Sequence, residues 1–140
     1  TEAAYMLAEP YREGPYTAEY LEGVLRRLGD MGPHQVVLTG VSLDDRHLGA
    51  AVYDRAADRV EYAMGDKIEG YFHGTGDVFA SALVGAIQNG LFLREAAQAA
   101  VDFTVASIRR TYAEGTDIRY GVNFEANLTG YMASIGIGRE

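Results

Sequence analysis

Cysteine is absent from the 140 residues. That excludes disulfides, thiolate metal sites and cysteine nucleophiles, and it fits a reducing compartment, so a cytoplasmic location is expected. Basic charge is scarce: twelve Lys and Arg against twenty Asp and Glu leave a net charge of −8. A protein that tracks nucleic-acid phosphates needs a basic face to displace counterions, so no nucleic-acid partner is expected. No apolar run approaches the ~20 residues needed to span a bilayer, and no signal-peptide pattern opens the chain, so no membrane partner is expected either. His34, His47 and His73 show no metal-ligand spacing, and no metal site is assigned to them.

What is present is ordinary for a folded domain. Apolar residues make up 48% and charged residues 23%, in a chain long enough to bury one core. Thr1 stands first, and Thr1 to Leu7 already reads as the start of a helix. The expectation is a piece of a longer chain.

Glu9-Pro10 ends that first helix, because the residue before proline is pushed out of helical geometry. A polar segment follows from Tyr11 to Tyr16. Thr17 can cap a second helix with Leu21, Val24, Leu25, Leu28 and Met31 on one face, stopped by Gly29, Gly32 and Pro33. Gln35 to Gly40 is short, β-branched and not alternating, which predicts a strand buried on both faces, as in a parallel sheet. Leu48–Asp54 and Arg59–Met64, separated around Ala56-Ala57-Asp58, read as an antiparallel hairpin. A glycine-bearing loop then runs from Gly65 to Gly76.

Residues 77 to 89 form a predicted apolar helix closed by Asn89-Gly90, and residues 94 to 111 another, with Ala97, Ala100, Val101, Thr104 and Ile108 on one side. The tail from Tyr112 is less regular, with room for a short helix within Val122 to Met132. The order of elements indicates an α/β layered domain.

One window carries chemistry. From Gly70 to Leu93, a stretch of 24 residues, Asp77 is the only formally charged side chain. It follows Gly74-Thr75-Gly76 and opens a helix of apolar and small residues. Two glycines allow backbone turns closed to other residues, so several N–H groups can point into one concavity. At a helix start the dipole adds roughly half a positive charge, which attracts anions such as phosphate and favours a charged carboxylate by ~0.3–1 kcal/mol. A carboxylate is a weak base at neutral pH. That suffices where the transition state is loose and positioning with charge stabilisation carries most of the rate. The plain alternative is a tight turn followed by an acidic residue that the dipole favours, and spacing alone leaves both open. The window lacks the third glycine of a dinucleotide fingerprint, and no G-x-x-x-x-G-K-[ST] occurs anywhere.

Gly74-Thr75-Gly76-Asp77-Val78-Phe79-Ala80 resembles the G-T-G-D signature of the ribokinase-like superfamily. More narrowly, it is similar to that of bacterial pyridoxal/pyridoxamine kinases. Thr1-Glu2-Ala3 resembles the end of that group's P-N-x-x-E-A segment, and Val36-Val37-Leu38-Thr39-Gly40 resembles its phosphate-touching strand. The resemblance runs to about residue 112 and is strongest at 70–90. It implies a ribokinase-like three-layer α/β/α sandwich, with residues 1–140 as the C-terminal portion of a single kinase domain whose N-terminal half is missing.

The implied activity is ATP-dependent phosphorylation of the 5′-hydroxymethyl group of pyridoxal, pyridoxamine or pyridoxine, in vitamin B6 salvage. Asp77 would be the base, in contact with the acceptor. The backbone of Gly74, Thr75 and Gly76 would hold the transferred phosphoryl group, and Thr39 would touch ATP phosphates. Glu2 would help hold the ATP-bound magnesium through oxygen ligands. Residues near Met64 would lie by the nucleotide. Gly40 offers no second hydroxyl. ATP and magnesium are thus the implied cofactors, a monovalent cation stays open, and the parent is expected to be a homodimer.

Two rivals remain at this level: a hydroxymethylpyrimidine or sugar kinase of the same superfamily, and a non-catalytic nucleotide-binding or association fragment. The second follows from an unpaired strand edge, which tends to pair with something. The 140 residues alone are therefore expected to show little kinase activity. Lys67 reads as a solvated loop charge, His73 as structural, and Asn127-Leu128-Thr129 as an idle glycosylation sequon. The ten tyrosines read as residues straddling core and surface.

Overall fold

The computed structural model describes Leu7 and residues 16–138. The expected helix over residues 1–9 therefore lies, apart from Leu7, outside the described residues, as does most of the polar segment after it. The chain forms two compact units that meet in sequence at Met64 and Gly65.

In the first unit, helix α1 spans Ala18–Asp30. Thr17 caps it: its Oγ1 accepts the Tyr20 N–H at 3.2 Å, satisfying a donor that the helix itself cannot. Leu21, Val24 and Leu25 are buried and Leu28 half-buried, as the spacing predicts. Met31 departs from that prediction: it is the C-cap residue, one past the last helical residue Asp30, and is 61% exposed. Gly29 is not a stop signal. It is a buried helical residue, and a Cβ there would come within 2.7 Å of the Tyr53 ring. The helix stops at Gly32 and Pro33 instead.

Three strands follow, β1 (Gln35–Val41), β2 (His47–Asp54) and β3 (Arg59–Asp66), in the order β1-β2-β3. The prediction of a parallel strand buried on both faces is corrected here. β1 pairs antiparallel with β2, with Val36 opposite Tyr53 and Leu38 opposite Ala51, and only Leu38 and Val41 of β1 are buried. Alternation was hidden by a bulge. Gly40 (φ +71) breaks the register between Thr39 and Val41, so Val41 returns to the face of Leu38. That face, with Ala51 and Tyr53, packs against Leu21, Val24 and Leu25 of α1 in one core cluster.

The expected hairpin is present and slightly longer at both ends. Four residues link the adjacent strands β2 and β3, a connection too short for a parallel crossover. The turn is built locally: Asp54 Oδ1 accepts the N–H of Ala56 at 2.9 Å and of Ala57 at 3.2 Å. Asp58 accepts from Arg26 Nε at 3.0 Å and from the Tyr53 hydroxyl at 3.2 Å, and these bonds hold its carboxyl below the usual range.

The second unit is helical. Helix α2 spans Thr75–Gln88 and α3 spans Leu93–Glu114, each starting before its predicted first residue. After α2, Gly90 N donates to Ile87 O at 3.0 Å and Leu91 N to Ala86 O at 3.1 Å, the double closure expected of Asn89-Gly90. α2 and α3 approach through small residues: Ala86 and Ala96 are fully buried and share a cluster with Ile135. Thr104, Ser107 and Thr111 are buried on α3, and each hydroxyl donates to the carbonyl four residues earlier at 2.8 Å. The tail is two 3-10 turns, Ile118–Tyr120 and Glu125–Asn127, then helix α4 over Leu128–Ser134.

Candidate active site

The glycine turn sets the start of α2. Gly74 takes the left-handed conformation (φ +77) that L side chains rarely adopt, and supplies no side-chain cap. Thr75 and Gly76 are already helical, so Asp77 is the third helical residue rather than the first, which corrects the predicted boundary. The Thr75 hydroxyl is taken up locally, donating to Phe72 O at 3.2 Å. The first bond into the helix runs from Val78 N to Gly74 O at 3.0 Å. The amides of Thr75, Gly76 and Asp77 precede it and have no acceptor among the described residues.

Asp77 is exposed, and its carboxylate makes no hydrogen bond or ion pair with any described residue. It lies at the edge of a cavity of about 340 Å³ between α2, α3 and the tail. Ser81 faces the same space, and Phe103, Phe124, Leu128 and Tyr131 supply its apolar walls. Tyr131 bridges the helices. Its hydroxyl donates to Ala82 O at 2.5 Å, its ring packs on Phe103 with centroids 4.8 Å apart, and burial pushes its phenol pKa up. An unpaired carboxylate beside three unpaired amides can accept a hydroxyl proton while the amides hold an anion.

Gly74, Thr75, Gly76 and Asp77 are thus together in the second unit. Thr39 belongs to the first, on β1 opposite Ala50 and immediately before the bulge, and half-buried Met64 is the last residue of that unit. Glu2 lies outside the described residues. No group of three His, Cys, Asp or Glu side chains converges among the described residues. His73 is exposed with its ring edge-on to Tyr71 at 4.9 Å, and His47 pairs with Asp44 through Nδ1 at 2.8 Å. Sequence reasoning missed the cavity walls. The one available signal was the spacing of Phe124, Leu128 and Tyr131, four and three residues apart within the expected tail helix.

Unpaired amides at a helix start on a mixed α/β scaffold are able to bind an anionic group such as phosphate. The family model for phosphomethylpyrimidine kinase matches residues 1–122, and the chain belongs to that family. A protein from Bacteroides thetaiotaomicron, provisionally assigned as a phosphomethylpyrimidine kinase, is 32% identical; the match covers 90% of this chain and 43% of that one, with a TM-score of 0.82. A second crystal form of it contains pyridoxal. Pyridoxal kinase from Lactobacillus plantarum is 28% identical over 93% of this chain and 46% of its own, with a TM-score of 0.80. Pyridoxal kinase from Leishmania donovani, in complex with ADP and pyridoxamine, is 18% identical and shares the fold, with a TM-score of 0.76 over 92% of this chain and 45% of its own. The chain spans less than half the length of these structures. No curated protein sequence matches it. Among the described residues no helix is long and apolar enough to cross a membrane.

Proposed function

We propose that this chain supplies the base and the phosphoryl cradle of an ATP-dependent kinase acting on the 5′-hydroxymethyl group of pyridoxal, pyridoxamine or pyridoxine. The observation that carries this reading is the Asp77 carboxylate, unpaired among the described residues beside the unpaired amides of Thr75, Gly76 and its own backbone. Asp77 takes the hydroxyl proton as the acceptor oxygen bonds to the γ-phosphorus. The bond from that phosphorus to the β,γ-bridging oxygen breaks, and ADP departs with the electron pair. The three amides and the α2 dipole stabilise charge on the phosphoryl oxygens in flight. Thr39 is assigned to ATP phosphates and Met64 to the nucleotide's surroundings. Pyridoxal in one relative's crystals supports a B6 acceptor.

Hydroxymethylpyrimidine is the second reading, favoured by the description of the matching family model. Steady-state kinetics on the full-length protein with pyridoxal and with hydroxymethylpyrimidine separate the two through the ratio of kcat/KM values. Asp77→Asn tests the shared core of both readings. Turnover is expected to fall by at least ~10²-fold, the low end for losing a positioned base, while ATP binding persists. Unchanged kcat in Asp77→Asn refutes the assignment and leaves Asp77 as a helix-start residue.

A further inference from the structure

Between α3 and α4 the tail makes contacts that the kinase reading has not used. Thr111 is fully buried near the end of α3. Its Oγ1 donates to Ser107 O at 2.8 Å and accepts the backbone N–H of Asn123 at 2.7 Å. The Asn123 amide in turn donates to Thr116 Oγ1 at 2.8 Å and to the Glu114 carboxylate. Two of these bonds tie Asn123 to the end of the helix, and the third closes on Thr116 at the start of the loop 116–123.

Two residues before Asn123, Gly121 also takes the left-handed conformation (φ +92). A Cβ on Gly121 would stand 3.8 Å from His73 O, and a Cβ on Gly74 would stand 3.9 Å from Gly121 Cα. The loop thus passes alongside the turn that opens α2, with room for about one carbon atom between the two glycine backbones. One residue after Asn123, Phe124 enters the cavity wall beside Asp77. Gly74 has no side-chain cap of its own; the Thr75–Phe72 and Val78–Gly74 bonds hold the turn from within, and the Gly121 backbone lies next to it.

We propose that Asn123, clamped by Thr111, is a positioning residue that acts through Gly121 to hold the Gly74 turn, and so aims the amides of Thr75 to Asp77 at the transferred phosphoryl group. The inference rests on the kinase reading above, but its structural half is independently measurable. If the amides are aimed at charge that develops during transfer, loosening the clamp lowers kcat and leaves substrate affinity in place.

The test uses three variants of the full-length protein. Thr111→Val removes the acceptor at nearly constant volume, Thr111→Ser keeps it, and Asn123→Ala removes the amide and carries the test should Thr111→Val fail to fold. Kinetics are measured with ATP and with whichever acceptor is turned over, alongside hydrogen exchange at the Val78 amide, whose bond to Gly74 O reports opening of the turn. Thr111→Val and Asn123→Ala are expected to lower kcat about tenfold with both KM values within about twofold, and to speed Val78 exchange about tenfold. Thr111→Ser is expected to match the native protein in both. Native kcat and native Val78 exchange in Thr111→Val and Asn123→Ala overturn the proposal. So does an equal loss in Thr111→Ser, which would make the packing of the methyl group the cause. If the native protein phosphorylates neither acceptor, the kinase reading fails by itself, and unchanged Val78 exchange in the variants then overturns the clamp separately.

Discussion

The contact between Gly85 and Tyr131 makes a signed prediction that neither residue makes alone. Gly85 is in the interior of α2, where replacing glycine by alanine normally stabilises a helix by about 0.5–1 kcal/mol. Here a Cβ on Gly85 would stand 3.0 Å from the Tyr131 hydroxyl oxygen, which is also committed to Ala82 O at 2.5 Å. The hydroxyl must yield a few tenths of an ångström, and a hydrogen bond worth about 1 kcal/mol net is bent or lost. Gly85→Ala is therefore expected to be neutral or to destabilise by up to about 1 kcal/mol, its propensity gain offset. Tyr131→Phe removes the bond and costs about 1 kcal/mol, since Ala82 O keeps its acceptor role within the helix. In the Tyr131→Phe background the obstruction is gone and Gly85→Ala should stabilise by about 0.5–1 kcal/mol. Equilibrium urea denaturation of the four proteins at constant m-value yields the coupling, expected near 1 kcal/mol. Additivity within about 0.3 kcal/mol, or an outright gain from Gly85→Ala alone, would refute the placement of α4 against α2.

Other expectations follow from single contacts. A Cβ on Gly49 would stand 2.0 Å from the carbonyl oxygen of Ala63, backbone that cannot swing aside, so Gly49→Ala should cost about 3 kcal/mol in the same denaturation assay. A cost below about 0.5 kcal/mol would mean that β2 and β3 are not packed as described. Asp44 accepts the N–H groups of Arg46 and His47 at 2.7 Å and faces the His47 ring. The His47 ring first, and then the Arg46 amide, lower its carboxyl pKa from 3.8 to about 2. A depressed carboxyl stabilises the fold above its unfolded value and loses that contribution as pH falls through the folded one, so the β1–β2 connection should loosen between about pH 4 and pH 2. A carboxyl NMR titration of Asp44 with its midpoint near 3.8 would show the turn to be absent in solution.

Local chemistry was legible in the sequence wherever one residue type had one physical use. Thr17 before an apolar face and Asn89-Gly90 after a helix each satisfy backbone groups within a few residues, so their roles need no knowledge of distant contacts. β1 shows where that reasoning stops. Val36, Leu38 and Val41 share one buried face, yet their numbers break the period of two, because Gly40 adds a residue that faces nothing across the ladder. A short run of apolar residues on both parities looks like a strand buried on both sides. Only the pairing with β2 shows that it is a one-faced strand with an inserted residue. Gly29 was misread for a related reason. Glycine near a helix end suggests a stop, whereas here it makes room for Tyr53, which is 24 residues further along the chain.

The same division runs through the candidate site. Asp77 and the glycine turn stood out as the lone charge of an apolar window at a helix start, but spacing alone also fitted a plain turn, and the phosphoryl role came from the resemblance. What surrounds them was not readable, because it comes from the least periodic part of the chain. Two 3-10 turns interrupt the tail before α4, so the spacing of Phe124, Leu128 and Tyr131 never builds into a convincing helical stripe. The bonds that hold that tail run from Asn123 back to Thr111, a residue that sequence alone would count as a helix filler. A threonine within a helix costs propensity, and burying its hydroxyl costs more unless both its donor and its acceptor are matched. Thr111 matches both, donating inside its own helix and accepting from the loop. That is why valine, its near-isostere, separates shape from hydrogen bonding at this position, and why the response of the Gly74 turn to it reports on the loop rather than on the core.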